Sequence, residues 1–333
     1  MELLTQAALS ILVVSFLVGI VVGLTGMGGG ALMTPALIFL GINPTAAVAN
    51  DLVAASVNKS VGAAVHWRHG SPNLRMAGWL MVGSVPTAFA GAFIIAAVGG
   101  EEGTSSDDFV KLTIGGALLL TASTYTLRNY LKLRATVYGT GRGHGGVVVR
   151  PLTTLAVGAV GGLLVGITSV GSGSLIMVSL LLLYPALEAV KLVGTDLVQA
   201  VPLVLAAAVS HMIVTGPEWN VLIPLIVGGT PGTFLGSRLA HWVSEGVVKR
   251  GIVIVLTLTG LTLLGVPPEY VGLIGAALLI LGPLAWGGVR RMHGLAPFET
   301  LGNGGSGGAG EASGRGGGPA SGDREATRAG KPR

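Results

Sequence analysis

The sequence predicts an all-α polytopic membrane protein of two inverted repeats, each a Gly-rich broken-helix hairpin plus three or more transmembrane helices. Half of the 333 residues are apolar and only 11% are charged, whereas a soluble domain carries about a quarter charged residues. Long apolar runs between charged loops approach the roughly 20 residues needed to cross a bilayer. Small and polar residues also recur in the same order in both halves of the chain.

The duplication begins with a Gly-rich motif. Residues 23–30, GLTGMGGG, return as residues 166–173, GITSVGSG. Further matches follow each copy in the same order: Asp51 with Asp196, His66 with His211, Pro86 with Pro231, and Gly91 with Gly236. A duplicated apolar unit with glycine-interrupted helices at corresponding places is typical of secondary transporters, whose substrate site lies where the halves meet.

The apolar runs place the membrane crossings along the chain. Each Gly-rich motif lies in an apolar stretch, 7–40 or 151–185, that is too long for one crossing. Each stretch is therefore predicted to form either two short helices or a re-entrant hairpin. The other crossings are predicted at 46–66, 76–99 and 109–130 in the first half, and at 192–214, 219–240, 250–265 and 270–289 in the second.

Charged loops orient these crossings. The segment 128–150 is basic without an acidic residue, which places it in the cytoplasm, whereas the acidic segment 101–108 has no Lys or Arg and is placed outside. Counting crossings between these anchors inverts the second repeat relative to the first. The predicted organisation is a membrane repeat at 1–130, a cytoplasmic linker at 131–150, a second membrane repeat at 151–290 and a disordered cytoplasmic tail at 291–333.

The two Gly-rich motifs are the first candidate binding site. Glycines remove side chains and leave backbone N–H groups free at the start of a following helix, where the positive end of the helix dipole favours an anion. The second copy adds hydroxyl donors. The alternative is that small residues simply let membrane helices pack closely. The predicted substrate-binding residues are Thr25, Gly26, Gly28, Gly29, Gly30, Thr168, Ser169, Gly171, Ser172, Gly173 and Ser174.

Polar and ionisable residues within or beside the predicted crossings are candidates for coupling or gating. Such a group is costly in a membrane and is a functional hypothesis by default. For Asp51 and Asp196 the alternative is a helix N-cap, and for Lys59 it is snorkelling toward the cytoplasmic interface. For the histidines the favoured interpretation is an interfacial position, with proton transfer as the alternative. The set comprises Asn50, Asp51, Asn58, Lys59, His66, Thr195, Asp196 and His211.

The sequence lacks the residues and motifs that several other classes of function require. The chain has no cysteine, which excludes disulfides, thiolate metal sites and iron–sulfur clusters. Neither a P-loop, a His-Glu-x-x-His motif nor a Gly-x-Ser-x-Gly elbow is present. The net charge of +5 reports membrane topology rather than nucleic-acid binding. We therefore expect no enzyme activity, no metal or cofactor and no nucleic-acid partner, and we expect the lipid bilayer and a small-molecule substrate as partners.

The order of these motifs resembles the sulfite exporter TauE/SafE family, also called the toluenesulfonate uptake permease family. The resemblance covers about residues 7–290. It rests on residues 23–30 followed by a Pro-containing apolar segment, AVANDL at 47–52, His66 with Arg68, GSVP at 83–86 and VGTDL at 193–197. Asn50 stands where the family pattern leads us to expect Thr, as at Thr195.

The resemblance implies a function. It implies secondary transport of a small sulfur-containing anion, namely sulfite, thiosulfate or an organosulfonate, by alternating access across the cytoplasmic (inner) membrane. The alternatives are a passive anion channel of the same fold and a membrane-embedded protein that transports nothing. Neither the residues nor the resemblance identify the anion, the direction of transport, the coupling ion or the oligomeric state.

Overall fold

The computed structural model describes residues 2–25, 30–67, 72–99, 104–138, 149–171, 173–184, 189–239, 242 and 245–292. All regular structure in these ranges is α-helical, which confirms the predicted class. The helices are α1 (Glu2–Thr25), α2 (Gly30–Phe39), α3 (Pro44–Trp67), α4 (Leu74–Gly99), α5 (Thr104–Tyr138), α6 (Pro151–Thr168), α7 (Leu175–Leu183), α8 (Ala189–Val214), α9 (Trp219–Leu239), α10 (Glu245–Leu263) and α11 (Pro268–Met292).

The helices follow the predicted crossings closely, although α5 extends beyond 109–130 at both ends. Among the described residues, six helices are long and apolar enough to span a membrane: α1, α4, α5, α6, α8 and α11. The apolar part of α10, Arg250–Leu263, is shorter. Helix α3 is not among the six because it carries residues such as Asp51 and Lys59. Its polar residues Asn50, Asp51 and Ser56 are buried against protein.

Each Gly-rich stretch forms a long helix followed by a short one. Helices α1 and α6 have 24 and 18 residues, whereas α2 and α7 have 10 and nine. At a rise of 1.5 Å per residue, α2 and α7 are about 15 Å long or less, which is half of the hydrocarbon core. Only the second helix of each pair is therefore short, so the stretches are not pairs of equal short helices.

The two halves pack against each other through corresponding helix pairs. Helix α1 lies against α9, and α6 lies against α4. The repeat equates α1 with α6 and α9 with α4, so these two contacts correspond. A Cβ added at Gly236 would overlap the backbone of Ile20, and one added at Gly166 would overlap the backbone of Ala88. Glycines thus let the backbones touch in both pairs, as the packing interpretation expected.

The main body of the protein extends from Met1 to Ala285 as one compact unit. A second unit, 286–333, begins within the last turns of α11. The predicted tail lies almost wholly outside the described residues.

Candidate functional site

The second Gly-rich motif meets a buried carboxylate of the first half. The Oδ2 atom of Asp51 accepts a hydrogen bond from Ser169 Oγ at 2.8 Å and another from Thr34 Oγ1 at 2.6 Å. All three residues are buried, and Asp51 is only 2% exposed. Because Ser169 lies at the end of α6, whereas Thr34 and Asp51 lie on α2 and α3, this cluster joins the two halves of the chain.

The local backbone explains how the motif reaches Asp51. Helix α6 ends at Thr168, its C-cap residue Ser169 adopts a left-handed conformation with φ 59°, and Gly171 follows with φ 103°. This conformation is uncommon for residues other than glycine, and it turns the chain out of the helix. Gly30, the first residue of α2, lies directly against Ser169, and a Cβ there would overlap the Ser169 carbonyl oxygen. A glycine at position 30 is therefore what permits the close approach of α2 to the second motif.

The N-cap alternative is wrong for both aspartates. Helix α3 begins at Pro44 and α8 begins at Ala189, seven residues before Asp51 and Asp196 respectively. Asp196 is 4% exposed. Both residues are thus buried carboxylates in the interior of helices, where burial is unfavourable unless hydrogen bonds or charges compensate it.

Asp196 has different partners from Asp51. Its Oδ1 accepts a hydrogen bond from Gln199 Nε2 at 3.3 Å, and Gln199 Oε1 accepts one from Ser84 Oγ at 3.3 Å. Both Gln199 and Ser84 are completely buried. The charge of Asp196 also interacts with Lys59 of α3 and Arg128 of α5. This second cluster therefore joins helices of both halves as well.

Lys59 connects the two carboxylates. Its side chain is half-buried and interacts electrostatically with both Asp196 and Asp51. This placement supports the carboxylate-partner interpretation over snorkelling. Asn58, the neighbouring residue, is directed elsewhere, because its Oδ1 accepts a hydrogen bond from Thr230 of α9 at 3.1 Å.

Three further coupling candidates, Asn50, Thr195 and His211, are buried in the protein. Asn50 and Thr195 are buried and bind backbone N–H groups of the opposite half, Glu218 and Asn73. His211 is completely buried, with its Nε2 2.8 Å from the carbonyl oxygen of Gly166. His211 is therefore a buried, hydrogen-bonded side chain in the last turn of α8, and its position at the membrane interface stays a prediction.

The hydroxyls of the second motif are mostly occupied. Thr168 Oγ1 donates to Leu164 O at 2.6 Å and accepts from Val170 N at 3.1 Å. A hydroxyl has one proton to donate, so Thr168 and Ser169 both direct theirs to protein acceptors. Ser174 is buried at the N-terminus of α7 and makes no side-chain capping bond. Gly171 and Gly173 lie in the turn between α6 and α7.

Several candidates lie outside the described residues. These are Gly26, Gly28, Gly29 and Ser172, together with the side chains of Thr25 and His66.

Sequence reasoning missed four residues of these clusters, one of which is Ser84, the donor to Gln199. Gln199 lies three residues after Asp196 on the same helix, so helical spacing was the signal available for it. Thr34 comes four residues after Gly30 on α2, and its contact with Asp51 had no local signal. Arg128 was assigned to the basic cytoplasmic linker, although it belongs to α5.

Known proteins resemble the chain over most of its length. The family profile described as sulfite exporter TauE/SafE matches residues 11–263. The chain is 33% identical over 264 residues to the probable membrane transporter protein YjnA of Bacillus subtilis (strain 168), covering 77% of this chain and 100% of that protein. It is 25% identical over 261 residues to the probable membrane transporter protein YdhB of the same organism, covering 76% and 99%.

A probable membrane transporter protein of Xylella fastidiosa (strain 9a5c) is 28% identical over 226 residues, covering 67% of this chain and 81% of that protein. No solved structure matches the chain.

Proposed function

Because the chain belongs to the sulfite exporter TauE/SafE family of multi-pass membrane transporters, we propose that it carries a small sulfur-containing anion across the cell membrane by alternating access. The substrate class is sulfite, thiosulfate or an organosulfonate. The observation that best supports this proposal is the contact of Ser169 with Asp51. In secondary transporters the substrate site lies between broken helices of the two halves, and this contact lies between them.

The N-termini of α2 and α7 offer hydrogen-bond donors to an anion. The nearby Asp51 carboxylate, when ionised, repels an anion. Half-helices α2 and α7 begin at Gly30 and Leu175, and helix N-termini present unpaired N–H groups to anions. An ionised Asp51 next to a bound anion would be strongly repelled, since like charges interact strongly away from bulk water. The anion therefore binds together with a proton on Asp51, and this linkage couples anion movement to proton movement in the same direction.

The proposed binding step also releases a hydroxyl. When Asp51 is protonated, its carboxyl needs fewer donors, and the Ser169 hydroxyl becomes available to the anion. A hydrogen bond to a charged group is worth about 1.5–3 kcal/mol. Proton uptake and anion binding thus use the same side chains, which makes each depend on the other.

Alternating access is supported by the correspondence between the two halves. The α1–α9 and α4–α6 pairs correspond under the repeat, and each combines one helix from either half. If the repeats are inverted, exchanging the conformations of the halves converts an inward-facing state into an outward-facing one. The glycine contacts in both pairs leave few side chains to interlock, which suits helices that move against each other.

A reconstitution experiment tests the proposal. Purified protein in liposomes is given radiolabelled sulfite, thiosulfate, sulfoacetate or taurine, with and without an inward proton gradient. We expect saturable uptake of at least one anion, competition by the others and stimulation by the gradient. Flux that does not saturate would indicate the passive channel instead. No flux of any of the four anions through folded protein would overturn the proposal.

A further inference from the structure

A polar stripe on α5 is not used by the proposed function. Thr121, Tyr125 and Arg128 are spaced by four and three residues, so they share one face of the helix. Thr121 is 1% exposed and Tyr125 is 4% exposed, and both belong to the protein interior. Arg128 is half-buried, but its Nε atom is buried. The polar stripe therefore extends from Arg128, near the end of the predicted crossing, to the buried residues Tyr125 and Thr121.

Two atoms of this stripe lack a hydrogen-bond partner among the described residues. They are Thr121 Oγ1 and Arg128 Nε. Leaving a buried polar atom unpaired costs about 1–3 kcal/mol, and more for a charged group. Such an atom requires an explanation, and a ligand is one. The guanidinium is well suited to this role, because it presents five N–H donors in a fork that matches the oxygens of an oxyanion.

Arg128 is also one of two cations that interact with Asp196. The charges of Lys59 on α3 and Arg128 on α5 both interact electrostatically with this carboxylate. Within the described residues, Arg128 makes no ion pair to an acidic side chain that is close enough to occupy the guanidinium directly. Asp196 therefore lies within electrostatic range of two positive groups, and one of them, Arg128, has a buried Nε–H without a hydrogen-bond partner among the described residues.

We propose that Arg128 and Lys59 bind the transported anion on the Asp196 side of the bundle, and that the Asp196 carboxylate neutralises these cations while the anion is absent. This inference rests on the proposed function and adds a second binding position for the transported anion, distinct from the one beside Asp51. Two oxygens of a sulfur oxyanion can accept from the guanidinium fork as a carboxylate does. Arg128 lies outside both Gly-rich motifs, so this site is separate from the Ser169–Asp51 contact and is linked to it through Lys59.

The test measures binding of radiolabelled sulfite and thiosulfate to the purified full-length protein. Arg128→Gln should weaken binding about tenfold or more, because a charge-assisted hydrogen bond is lost. Arg128→Lys should restore only part of the affinity, since an ammonium lacks the fork. Asp196→Asn should strengthen binding several-fold, because the cations lose their internal competitor. Lys111→Gln is the matched control: it removes an exposed cation of the same helix that pairs with Asp108 at 3.8 Å, and binding should not change.

The outcomes separate this inference from the proposed function. If wild-type protein binds an anion and Arg128→Gln binds it equally well, Arg128 has no role in recognition, and the proposed function stands. If Asp196→Asn weakens binding, the carboxylate supports anion binding rather than competing with it. That result would overturn the proposal that Asp196 neutralises Arg128 and Lys59 while the anion is absent. If wild-type protein neither binds nor transports sulfite, thiosulfate, sulfoacetate or taurine, the proposed function fails, and this inference fails with it. Thermal unfolding of every variant shows whether the fold is retained, and Arg128→Lys and Asp196→Asn keep the test decisive if Arg128→Gln unfolds.

Discussion

Asn50 and Thr195 make the same pair of hydrogen bonds at equivalent positions of the two halves. Asn50 Nδ2 donates to Ala46 O at 2.8 Å, and its Oδ1 accepts from Glu218 N at 3.2 Å. Thr195 Oγ1 donates to the carbonyl oxygen of Lys191 at 2.6 Å and accepts from Asn73 N at 3.0 Å.

The two donor residues, Glu218 and Asn73, immediately precede α9 and α4. Backbone N–H groups at the start of a helix have no partner within the helix. Asn50 therefore makes the same two hydrogen bonds as the Thr expected from the family pattern, because an amide and a hydroxyl can each both donate and accept. Each bridge ties α3 or α8 to the start of a helix from the other half.

Removing either bridge should destabilise the protein. Asn50→Ala or Thr195→Val removes the acceptor of a part-buried N–H group, and the loss of such a hydrogen bond costs about 0.5–1.5 kcal/mol. Thr195→Ser retains the hydroxyl and is the matched control. Thermal unfolding in detergent should show a lower midpoint for the first two variants and a nearly unchanged one for the third. Equal midpoints for all three would show that water satisfies the N–H groups.

Gly30→Val should abolish transport. A Cβ at this position overlaps the Ser169 carbonyl oxygen, so α2 must move away from the second motif and the Asp51 cluster must open. Gly116→Ala on α5 is the control, because no heavy atom lies within 4 Å of its added Cβ. Uptake into liposomes at matched protein amounts measures both. Normal uptake by Gly30→Val would mean that the α2–Ser169 contact is not needed for transport.

Asp51→Asn should separate proton coupling from anion binding. The amide oxygen still accepts from Thr34 and Ser169, so the fold should persist, but the side chain can no longer take up a proton. We expect stimulation by a proton gradient to vanish while exchange of labelled for unlabelled anion continues. Comparing gradient-driven uptake with exchange in the same liposomes tests this. Retained stimulation in the variant would assign proton coupling to another residue.

His211→Leu should destabilise the contact between α8 and α6. The ring Nε2 lies 2.8 Å from Gly166 O, and a carbonyl oxygen only accepts, so the histidine donates this bond. Loss of the donor leaves a buried carbonyl unpaired, at about 1–3 kcal/mol. His211→Gln offers a new donor and should recover part of the stability in thermal unfolding. If Leu is tolerated without loss, the bond contributes nothing to the fold.

The inverted topology can be tested by labelling. The chain contains no cysteine, so a single Gly143→Cys substitution in the linker needs no prior removal of native thiols. We expect a membrane-impermeant thiol reagent to label this position only from the cytoplasmic side, and Ser105→Cys near the acidic segment only from outside. Labelling of the linker from outside would contradict the inverted arrangement.

The sequence by itself determined the class of the protein and the positions of its helices. Apolar runs and charged loops are local features, and a helix satisfies its own backbone within a membrane, so the crossings could be placed without knowing which helices touch. The duplication also identified Asp51, Asp196 and the Gly-rich motifs as corresponding features. What local pattern could not decide was where α7 begins, because the break after α6 depends on the left-handed turn at Ser169 and Gly171.

Only the tertiary structure decided which polar groups meet. Ser169 and Asp51 are 118 residues apart, and their contact depends on how the packing of the bundle brings the end of α6 to α2 and α3. The same sequence context, a polar residue before an aspartate, fits an N-cap equally well. The cap is excluded because α3 and α8 begin seven residues before Asp51 and Asp196. From sequence alone, Arg128 was placed in the basic segment 128–150. Its electrostatic interaction with Asp196 depends on packing between helices, which local composition does not encode.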